Sequence, residues 1–278
     1  MQETVYLPTF FKPVKFDDLQ RIGKSNDGGY IVRKQDIADT YHLISLGISF
    51  DWYFEKDFYK KNKKIKISTY DGSTGFKYFF KSCKVRLVNF IKNPNLKNYN
   101  RLIQRLKITL DFCIFFRLNV SNKISHTEKF VSNNIEMFKE FENNYGYKPG
   151  FVEFSDILKK SHKNIFLSID IESSEYDLLD KLDEYSDDIV GLNIEFHNVD
   201  QNLDKIERFV KKLNLHLIHT HINNFCEISN GIPTVIELSF SKYRNDIKTL
   251  EYRVDKELPL NIDEPNDENG VEYIIKFK

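Results

Sequence analysis

Short apolar runs alternate along this chain with segments of helical spacing, and this alternation constrains the fold more than any other feature. Residues 41–47 form a mostly apolar run that closes on Gly47, and residues 54–60 then have the spacing of a helix. A second short run, residues 64–70, ends in the turn-forming residues 71–75. Each run of this kind predicts a buried strand, which is followed by a turn and a helix.

The same pattern returns in the second half of the chain. Residues 164–170 predict a strand that leads into a helix over residues 176–182, with a cap from the serine pair 173–174. Residues 189–197 predict the next strand, and residues 203–213 predict an amphipathic helix after it.

Two final apolar runs, residues 215–222 and 234–240, are joined by the turn-rich segment 223–233. This short connection predicts an antiparallel pair that closes the sheet. Strands that alternate with helices predict an α/β fold of the Rossmann type, with a mostly parallel sheet and an antiparallel last strand. Ligands are expected outside the carboxyl ends of the strands.

Two regions do not fit the alternation. Residues 1–40 precede the first core strand and are predicted to form an N-terminal cap on a Rossmann-like domain spanning residues 41–278. Residues 76–125 are rich in Lys, Arg and aromatic residues, with Asp111 as the only acid, and predict a helical insertion. A solvated basic face over an aromatic core is the favoured interpretation of this insertion. The alternative is a surface that binds an acceptor, a partner or single-stranded nucleic acid.

Composition narrows the classes of protein to which the chain could belong. Its 278 residues fit one large domain. The 41 Lys+Arg equal the 41 Asp+Glu, which argues against a general nucleic-acid binder, although the basic insertion and the acidic tail 255–269 are opposed blocks. No apolar run approaches the roughly 20 residues of a membrane span. The N-terminus lacks signal-peptide order, and the three cysteines lack metal-site spacing. We therefore expect a soluble, cytoplasmic protein.

A strand-to-helix turn at Gly47 is the first candidate binding site. A nucleotide-like cofactor needs a glycine where it passes close to the backbone, and a carboxylate on the next strand to accept hydrogen bonds from its ribose. Asp71 lies 24 residues after Gly47, a spacing that suits this geometry. A single glycine is equally typical of an ordinary tight turn beside a solvated aspartate, so both interpretations stay open.

Charged residues end three of the predicted strands. Asp170 and Glu172 project to the same side if their strand continues, and two such carboxylates can hold a divalent cation, orient a hydroxyl or bind an amine. Glu195 and His197 end the next strand, and His221 ends the one after it. Histidine supplies either a general base or a metal ligand. Helix capping for the carboxylates and a structural role for each histidine are the competing interpretations.

Glu237 interrupts the apolar run 235–240. An unpaired charge there would be costly, so Glu237 is predicted to be a buried partner of one of the groups at the strand ends. The histidines away from those ends are interpreted as structural residues; they are His42, His126, His162 and His216.

A series of short motifs in this order resembles a known family. The motifs are residues 26–30, 45–48 with Asp51, 54–55, 70–71, 169–172 with Glu175, 194–197, His221 with residues 223–224, and 235–238. They resemble the FkbM-type and methyltransferase-like families of S-adenosylmethionine-dependent O-methyltransferases. The resemblance covers residues 21 to 241 outside the insertion, and the Asp-Ile-Glu-x-x-Glu element at 170–175 is its most specific part. Members commonly have Gly-Ala where this chain has residues 173–174, and a second glycine near Ser49.

The resemblance implies a class I methyltransferase fold with S-adenosyl-L-methionine as cofactor. By similarity, the cofactor is bound by Gly47, Ile48, Ser49, Asp71 and Gly72, with Asp71 on its ribose. Related sugar O-methyltransferases hold a divalent cation, and the matching ligands here are Asp170, Glu195 and His197, with Mg²⁺ or Mn²⁺ as the ion. The acceptor implied is a hydroxyl of a sugar or glycan, as in polysaccharide biosynthesis. Asp170, His197 and His221 are the residues expected to be catalytic.

Two other functions stay open at this point. The pair Asp170 and Glu172 resembles a DxD metal-binding element, which would suit a metal-dependent nucleotide-sugar glycosyltransferase. A Rossmann-like module without catalytic activity, whose insertion binds a partner, is the second alternative.

Overall fold

The structure is a computed structural model that describes residues 3–118, 123–132, 150–161, 163–242 and 250–278. Its strands are β1 Glu3–Leu7, β2 Leu19–Gly23, β3 Gly29–Arg33, β4 His42–Leu46, β5 Lys66–Tyr70, β6 Ile124–Thr127, β7 Lys129–Val131, β8 Gly150–Val152, β9 Ile165–Ile169, β10 Ile189–His197, β11 Leu215–Ile222, β12 Ile228–Ser229, β13 Ile232–Pro233, β14 Val235–Lys242 and β15 Tyr273–Phe277. Its α-helices are α1 Lys34–Asp39, α2 Tyr53–Lys61, α3 Phe76–Lys92, α4 Leu96–Phe112, α5 Phe154–Lys159, α6 Leu179–Glu184 and α7 Val199–Lys212.

Seven strands form the central sheet in the order β11-β14-β10-β9-β4-β5-β6. The neighbours from β6 to β10 pair in parallel, whereas β14 lies antiparallel to both β10 and β11. The predicted α/β class, with a mostly parallel sheet and an antiparallel last strand, is confirmed. The expected antiparallel pairing of the two final runs is confirmed as β11 with β14.

The direction in which successive strands are added reverses next to β4. The chain runs from β4 outward to β5 and β6, and it then returns to place β9 on the other side of β4. A crevice is expected at such a switch point, beyond the carboxyl ends of the two central strands.

Apolar side chains cover both faces of the sheet. Because strand side chains alternate, Leu43 packs into one cluster and its neighbour Ile44 into the other. The cluster beside Leu43 is strongly aromatic, and Trp52 stands edge-on to Phe79 and Phe112 within it. These aromatic contacts fasten the first turn of α3 and the last turn of α4 to the domain.

The ends of the chain meet on one side of the domain. Strand β1 pairs in parallel with β15, and Val14 forms a bridge with Tyr252. The acidic tail 255–269 also contacts the N-terminal segment, since Glu257 pairs with Lys15 and Glu264 accepts a hydrogen bond from the backbone N–H of Asn26. In the sequence, the hairpin of β2 and β3 follows β1 and precedes β4, the first strand of the central sheet. The pairing of β2 with β3 ends at Gly23 and Gly29.

Some local predictions need correction. Residues 124–125, expected in the insertion, belong to β6 of the central sheet because they continue its hydrogen-bonding to β5; residues 119–122 of the insertion, and His162, lie outside the described residues. The helix expected over 176–182 is a 3-10 turn, Glu175–Leu178, followed by α6. No side chain caps either piece, so the cap predicted from residues 173–174 does not form, and the Ser173 hydroxyl instead accepts a hydrogen bond from the Asn198 side chain. Within the described ranges, no helix has both the length and the apolar character needed to cross a membrane.

Candidate functional site

Gly47 stands at the switch point, where the backbone beyond β4 touches the backbone beyond β9. Its φ of 74° lies in the left-handed region, which costs an L-residue with a side chain roughly 1–2 kcal/mol. A Cβ on Gly47 would also lie 1.7 Å from the carbonyl oxygen of Asp170. Both constraints require glycine, so this single glycine brings the two central strand ends together.

Asp71 holds the turn that follows Gly47. One carboxylate oxygen accepts hydrogen bonds from the backbone N–H groups of Ile48 (3.0 Å) and Ser49 (2.7 Å). The other oxygen accepts from the backbone N–H of Ser73 (2.7 Å) and from its hydroxyl (2.6 Å). A carboxylate offers about four acceptor positions, and these four bonds engage them. Any ribose hydroxyl on Asp71 would therefore have to replace the Ser73 hydroxyl.

Two serines occupy the positions at which the resembling families commonly carry glycine. Ser49 has a φ of 43° and Ser173 a φ of 78°, and Glu172 just before it has a φ of 53°. Such left-handed backbone favours glycine. Ser49 and Ser173 thus adopt the left-handed backbone that glycine adopts most readily. The hydroxyl of Ser173 accepts a 2.7 Å hydrogen bond from the Asn198 side chain.

A cavity of about 530 Å³ opens beside these turns, a volume within the range of roughly 300–1,000 Å³ that is typical of small-molecule sites. Gly47, Ile48, Ser49 and Asp71, all predicted to bind a cofactor, line its wall. The fifth predicted residue, Gly72, is not part of the lining. A Cβ there would lie 2.3 Å from the ring of Phe130, so Gly72 is needed for packing.

Asp170 also lines the cavity, and one of its carboxylate oxygens, Oδ1, is buried without a hydrogen-bond partner. Burial raises the pKa of Asp170 to about 7; His197 opposes this shift, and the charges of Glu172 and Glu175 add to it. A buried carboxylate oxygen without a donor needs a proton, a cation or a ligand. Asp170 is therefore arranged to accept one of these from the cavity.

Glu175 fixes the orientation of His197. The fully buried carboxylate accepts hydrogen bonds from the backbone N–H of His197 (2.7 Å) and from its ring atom Nδ1 (3.0 Å). With the proton on Nδ1, the other ring nitrogen, Nε2, is left with a lone pair. Burial alone would lower the pKa of His197, but the hydrogen bond and charge of Glu175, together with Asp170 and Glu172, raise it.

The Nε2 atom of His197 faces three carboxylates. It lies 3.5 Å from Glu172 Oε2, 3.6 Å from Glu195 Oε1 and 3.9 Å from Asp170 Oδ1. One donor atom from each of Asp170, Glu172 and His197 lies within 4.8 Å of the other two. The carboxylate oxygens of Asp170 and Glu172 suit Mg²⁺ or Mn²⁺, and the Asp170 oxygen without a hydrogen-bond partner fits a bound cation.

Glu195 was predicted to be a metal ligand, a role that stays a prediction, and its carboxylate is held by a neighbouring side chain. Its Oε1 atom accepts a 3.2 Å hydrogen bond from the Asn223 side chain. Burial raises its pKa well above the ordinary value, and the charges of Asp170 and Glu237 contribute. Among the described residues, Glu172 takes the place of Glu195 in the set of converging donors, because its turn carries the side chain over His197.

Carboxylates engage both ring nitrogens of His221, which was predicted to be catalytic. Its Nδ1 atom lies 3.3 Å from Glu237 Oε2, and its Nε2 atom lies 3.1 Å from Glu272 Oε1. Burial would lower its pKa, but these two carboxylates raise it well above the ordinary value. Both ring nitrogens of His221 thus lie beside carboxylates, and its catalytic role stays a prediction. The prediction that Glu237 is a buried partner is confirmed.

Two buried carboxylates of the site have roles that were not predicted from the sequence. The orienting role of Glu175 depends on a contact across 22 residues, whereas its position next to a turn indicated a helix cap. Glu55 lies in α2 and lines the cavity from beneath. A charged residue on the buried face of a helix is the signal that could have revealed it.

Glu55 gives the protein a pH-dependent stability. Burial raises its pKa from 4.5 to about 7, so the folded protein retains a proton that the unfolded chain releases. The free energy of unfolding should therefore fall as pH rises between these two values, by about 2 kcal/mol between pH 5 and pH 8. Glu55→Gln should reduce the difference in unfolding free energy between the two pH values by this amount, as measured by urea denaturation at both. Asp170 and Glu195, whose pKa values are also raised, keep their own contributions in the variant.

Glu268→Gln is the matched control, because Glu268 is exposed. It should follow the wild-type protein at both pH values. If Glu55→Gln also stays parallel to the wild type, then Glu55 titrates normally in the folded protein and is not desolvated.

Comparisons with known proteins give similarity of structure at very low sequence identity. No family model matches the chain, and no curated protein matches it. The precorrin-6y C5,15-methyltransferase of Geobacter metallireducens is 9% identical over 75% of this chain and 86% of its own, with a TM-score of 0.35. The Methanococcus jannaschii fibrillarin pre-rRNA processing protein is 9% identical over 83% of this chain and 87% of its own, with a TM-score of 0.35. The M. jannaschii TYW2 protein in complex with AdoMet is 10% identical over 76% of this chain and 74% of its own, with a TM-score of 0.32.

Proposed function

We propose that the chain is an S-adenosylmethionine-dependent O-methyltransferase that methylates a hydroxyl of a sugar or glycan, with Mg²⁺ or Mn²⁺ aligning the acceptor. One observation carries the proposal: the cavity at the switch point is bounded on one side by the Gly47 turn and on the other by Asp170, whose buried oxygen has no partner. His197 is oriented beside that oxygen. The cavity that would hold the cofactor thus adjoins a group that could bind a cation or accept a proton.

The residues divide into a cofactor side and an acceptor side. Gly47, Ile48 and Ser49 would hold the cofactor, and Asp71 would bind its ribose in place of the Ser73 hydroxyl. Asp170, Glu172 and His197 would hold the cation. When bound, the cofactor supplies a methyl group already activated on a sulfonium, and the cation supplies a Lewis acid for the acceptor hydroxyl.

The chain itself must align the acceptor oxygen and take up its proton. A cation held by Asp170, Glu172 and His197 would supply the Lewis acid that lowers the pKa of the acceptor hydroxyl, so that its proton could pass to solvent water. In the absence of the cation, Nε2 of His197 is the proton acceptor, and Glu175 keeps it in the required tautomer through the Nδ1 hydrogen bond. The carboxylates around Nε2 would then stabilise the imidazolium that forms.

A thermal-shift screen tests the proposal. A ligand that binds only the folded state raises the melting temperature, so S-adenosylmethionine and its demethylated product at about 100 times Kd should raise it by about 5 °C or more. Mg²⁺ or Mn²⁺ should add a further increase that Asp170→Asn removes. An increase with uridine or guanosine diphosphate sugars and Mn²⁺, without any from the S-adenosyl compounds, would instead identify a glycosyltransferase.

A further inference from the structure

Helices α3 and α4 form a hairpin, residues 76–112, that exposes an unusual amount of apolar surface. Only Phe79 is buried among the 17 residues of α3. Of the twenty-three large apolar side chains that are exposed in the described part of the chain, thirteen lie between residues 76 and 118. The favoured prediction, a solvated basic face over an aromatic core, accounts for the buried rings but leaves these exposed side chains unexplained.

The exposed apolar residues of α3 form a stripe. At 100° per residue, Phe76, Phe80, Leu87 and Ile91 fall within an arc of about 60°. Their side chains are exposed by 37%, 55%, 46% and 68%. An apolar stripe that runs along most of a helix normally faces the core of a domain, yet this stripe faces away from the domain.

Helix α4 carries a second stripe. Leu96, Tyr99, Leu106 and Leu110 fall within an arc of about 80°, and their exposed fractions run from 45% to 74%. Both stripes therefore consist of long apolar side chains at helical spacing along most of the length of their helices.

Contacts between the helices show that the stripes share one side of the hairpin. Phe79 meets Phe112, Cys83 meets Thr109 and Phe90 meets Tyr99, so the helices run antiparallel. In α3, the centre of the stripe lies about 70° around the helix axis from the centre of this row of contacts. In α4, the stripe is displaced from its own contact row in the same rotational sense. Because the helices point in opposite directions, the two displacements turn both stripes to the same side.

The charge of the hairpin identifies the kind of surface that it fits. Residues 76–118 contain ten Lys or Arg and one acid, Asp111, which is paired with Lys56. Lys77 and Lys84 border the stripe of α3, where long basic side chains can keep their charge in water while their stems lie on apolar surface. A second copy of this chain would oppose one basic hairpin to another, so self-association through this face is disfavoured.

We propose that the apolar side of this hairpin docks on an anionic membrane surface, with the two stripes in the headgroup region and the basic residues that border them, Lys77, Lys84 and Lys107, at the lipid phosphates. An apolar helix face bordered by Lys and Arg is the pattern of helices that lie in the membrane interface. Helix α3 begins at Phe76, shortly after Ser73 in the cavity wall. Docking would thus hold the cavity next to the membrane.

Vesicle co-sedimentation of the full chain tests this proposal. Binding to phosphatidylcholine vesicles containing phosphatidylglycerol should exceed binding to pure phosphatidylcholine by about tenfold or more, and 0.5 M NaCl should reverse most of it. The variant Leu87→Glu with Ile91→Glu should lower binding by about tenfold or more. Both positions are exposed, so its melting temperature should match the wild type.

Val85→Glu is the matched control, because Val85 is 49% exposed on the same helix but lies about 150° from the centre of the stripe. It should bind vesicles within about twofold of the wild type. Equal binding to both kinds of vesicle, or equal losses in Val85→Glu and the stripe variant, would overturn the proposal. So would a concentration-dependent dimer that the stripe variant abolishes, since the face would then be a contact between copies.

Discussion

Asp170→Asn is expected to remove most methyl transfer, by about 10²–10⁴-fold, the range found when a general acid–base group is lost. The change keeps the shape of the side chain but removes the charge that would hold a cation or assist His197. Mn²⁺ affinity should fall by at least about tenfold, as measured by calorimetric titration. Cofactor affinity should change little, because the Gly47 turn is contacted by the carbonyl group of Asp170 and not by its side chain.

The same variant should be at least as stable as the wild type. Asp170 lies near Glu172, Glu175 and Asp27, all of which raise its pKa, so the neutral amide relieves repulsion within the folded state. Asp180→Asn is the control, because Asp180 is exposed on α6 and should alter neither activity nor Mn²⁺ binding. Full turnover in Asp170→Asn would show that Asp170 takes no part in the chemistry.

Gly47→Ala is expected to destabilise the protein by about 3 kcal/mol or more. The alanine would need a left-handed backbone and would place its Cβ 1.7 Å from the Asp170 carbonyl oxygen. Relief of this clash requires the ends of β4 and β9 to separate, which would also open the cavity wall. Chemical denaturation measures the loss of stability, and cofactor titration measures the loss of the site.

Gly231→Ala separates the two causes. Gly231 has a φ of 80°, but a Cβ on it would meet no atom within 4 Å. This control should therefore lose only the stability that a left-handed backbone costs an alanine, about 1–2 kcal/mol. Equal losses of stability in the two variants would mean that the ends of β4 and β9 lie further apart than they do in this structure.

The sheet could be predicted from the sequence because its signal is local. Apolar runs of strand length, each closed by a turn residue, define β4, β5, β9 and β10, and the turn-rich segment before β14 indicates antiparallel pairing. The proximity of Asp170 and His197 follows from the same pattern, since adjacent parallel strands end at one edge of the sheet. These predictions need only the order and the ends of the strands.

The remaining features depend on contacts that no local pattern contains. Glu172 reaches His197 because two successive residues adopt left-handed backbone after β9, and neither Glu172 nor Ser173 is a residue type that predicts such a turn. His221 gains its second carboxylate from Glu272, 51 residues later in the C-terminal tail. The basic and aromatic composition of residues 76–125 likewise indicated a helical insertion, without telling whether its apolar side chains are buried.

Titration calorimetry with S-adenosylmethionine and its demethylated product tests the central claim most directly. We predict saturable binding of one molecule per chain, with Kd between about 1 µM and 1 mM, the range in which enzymes commonly bind substrates. Asp170→Asn should retain this binding and Gly47→Ala should lose it. Absence of measurable heat with both compounds, from protein whose folding is confirmed by its cooperative denaturation, would contradict the account.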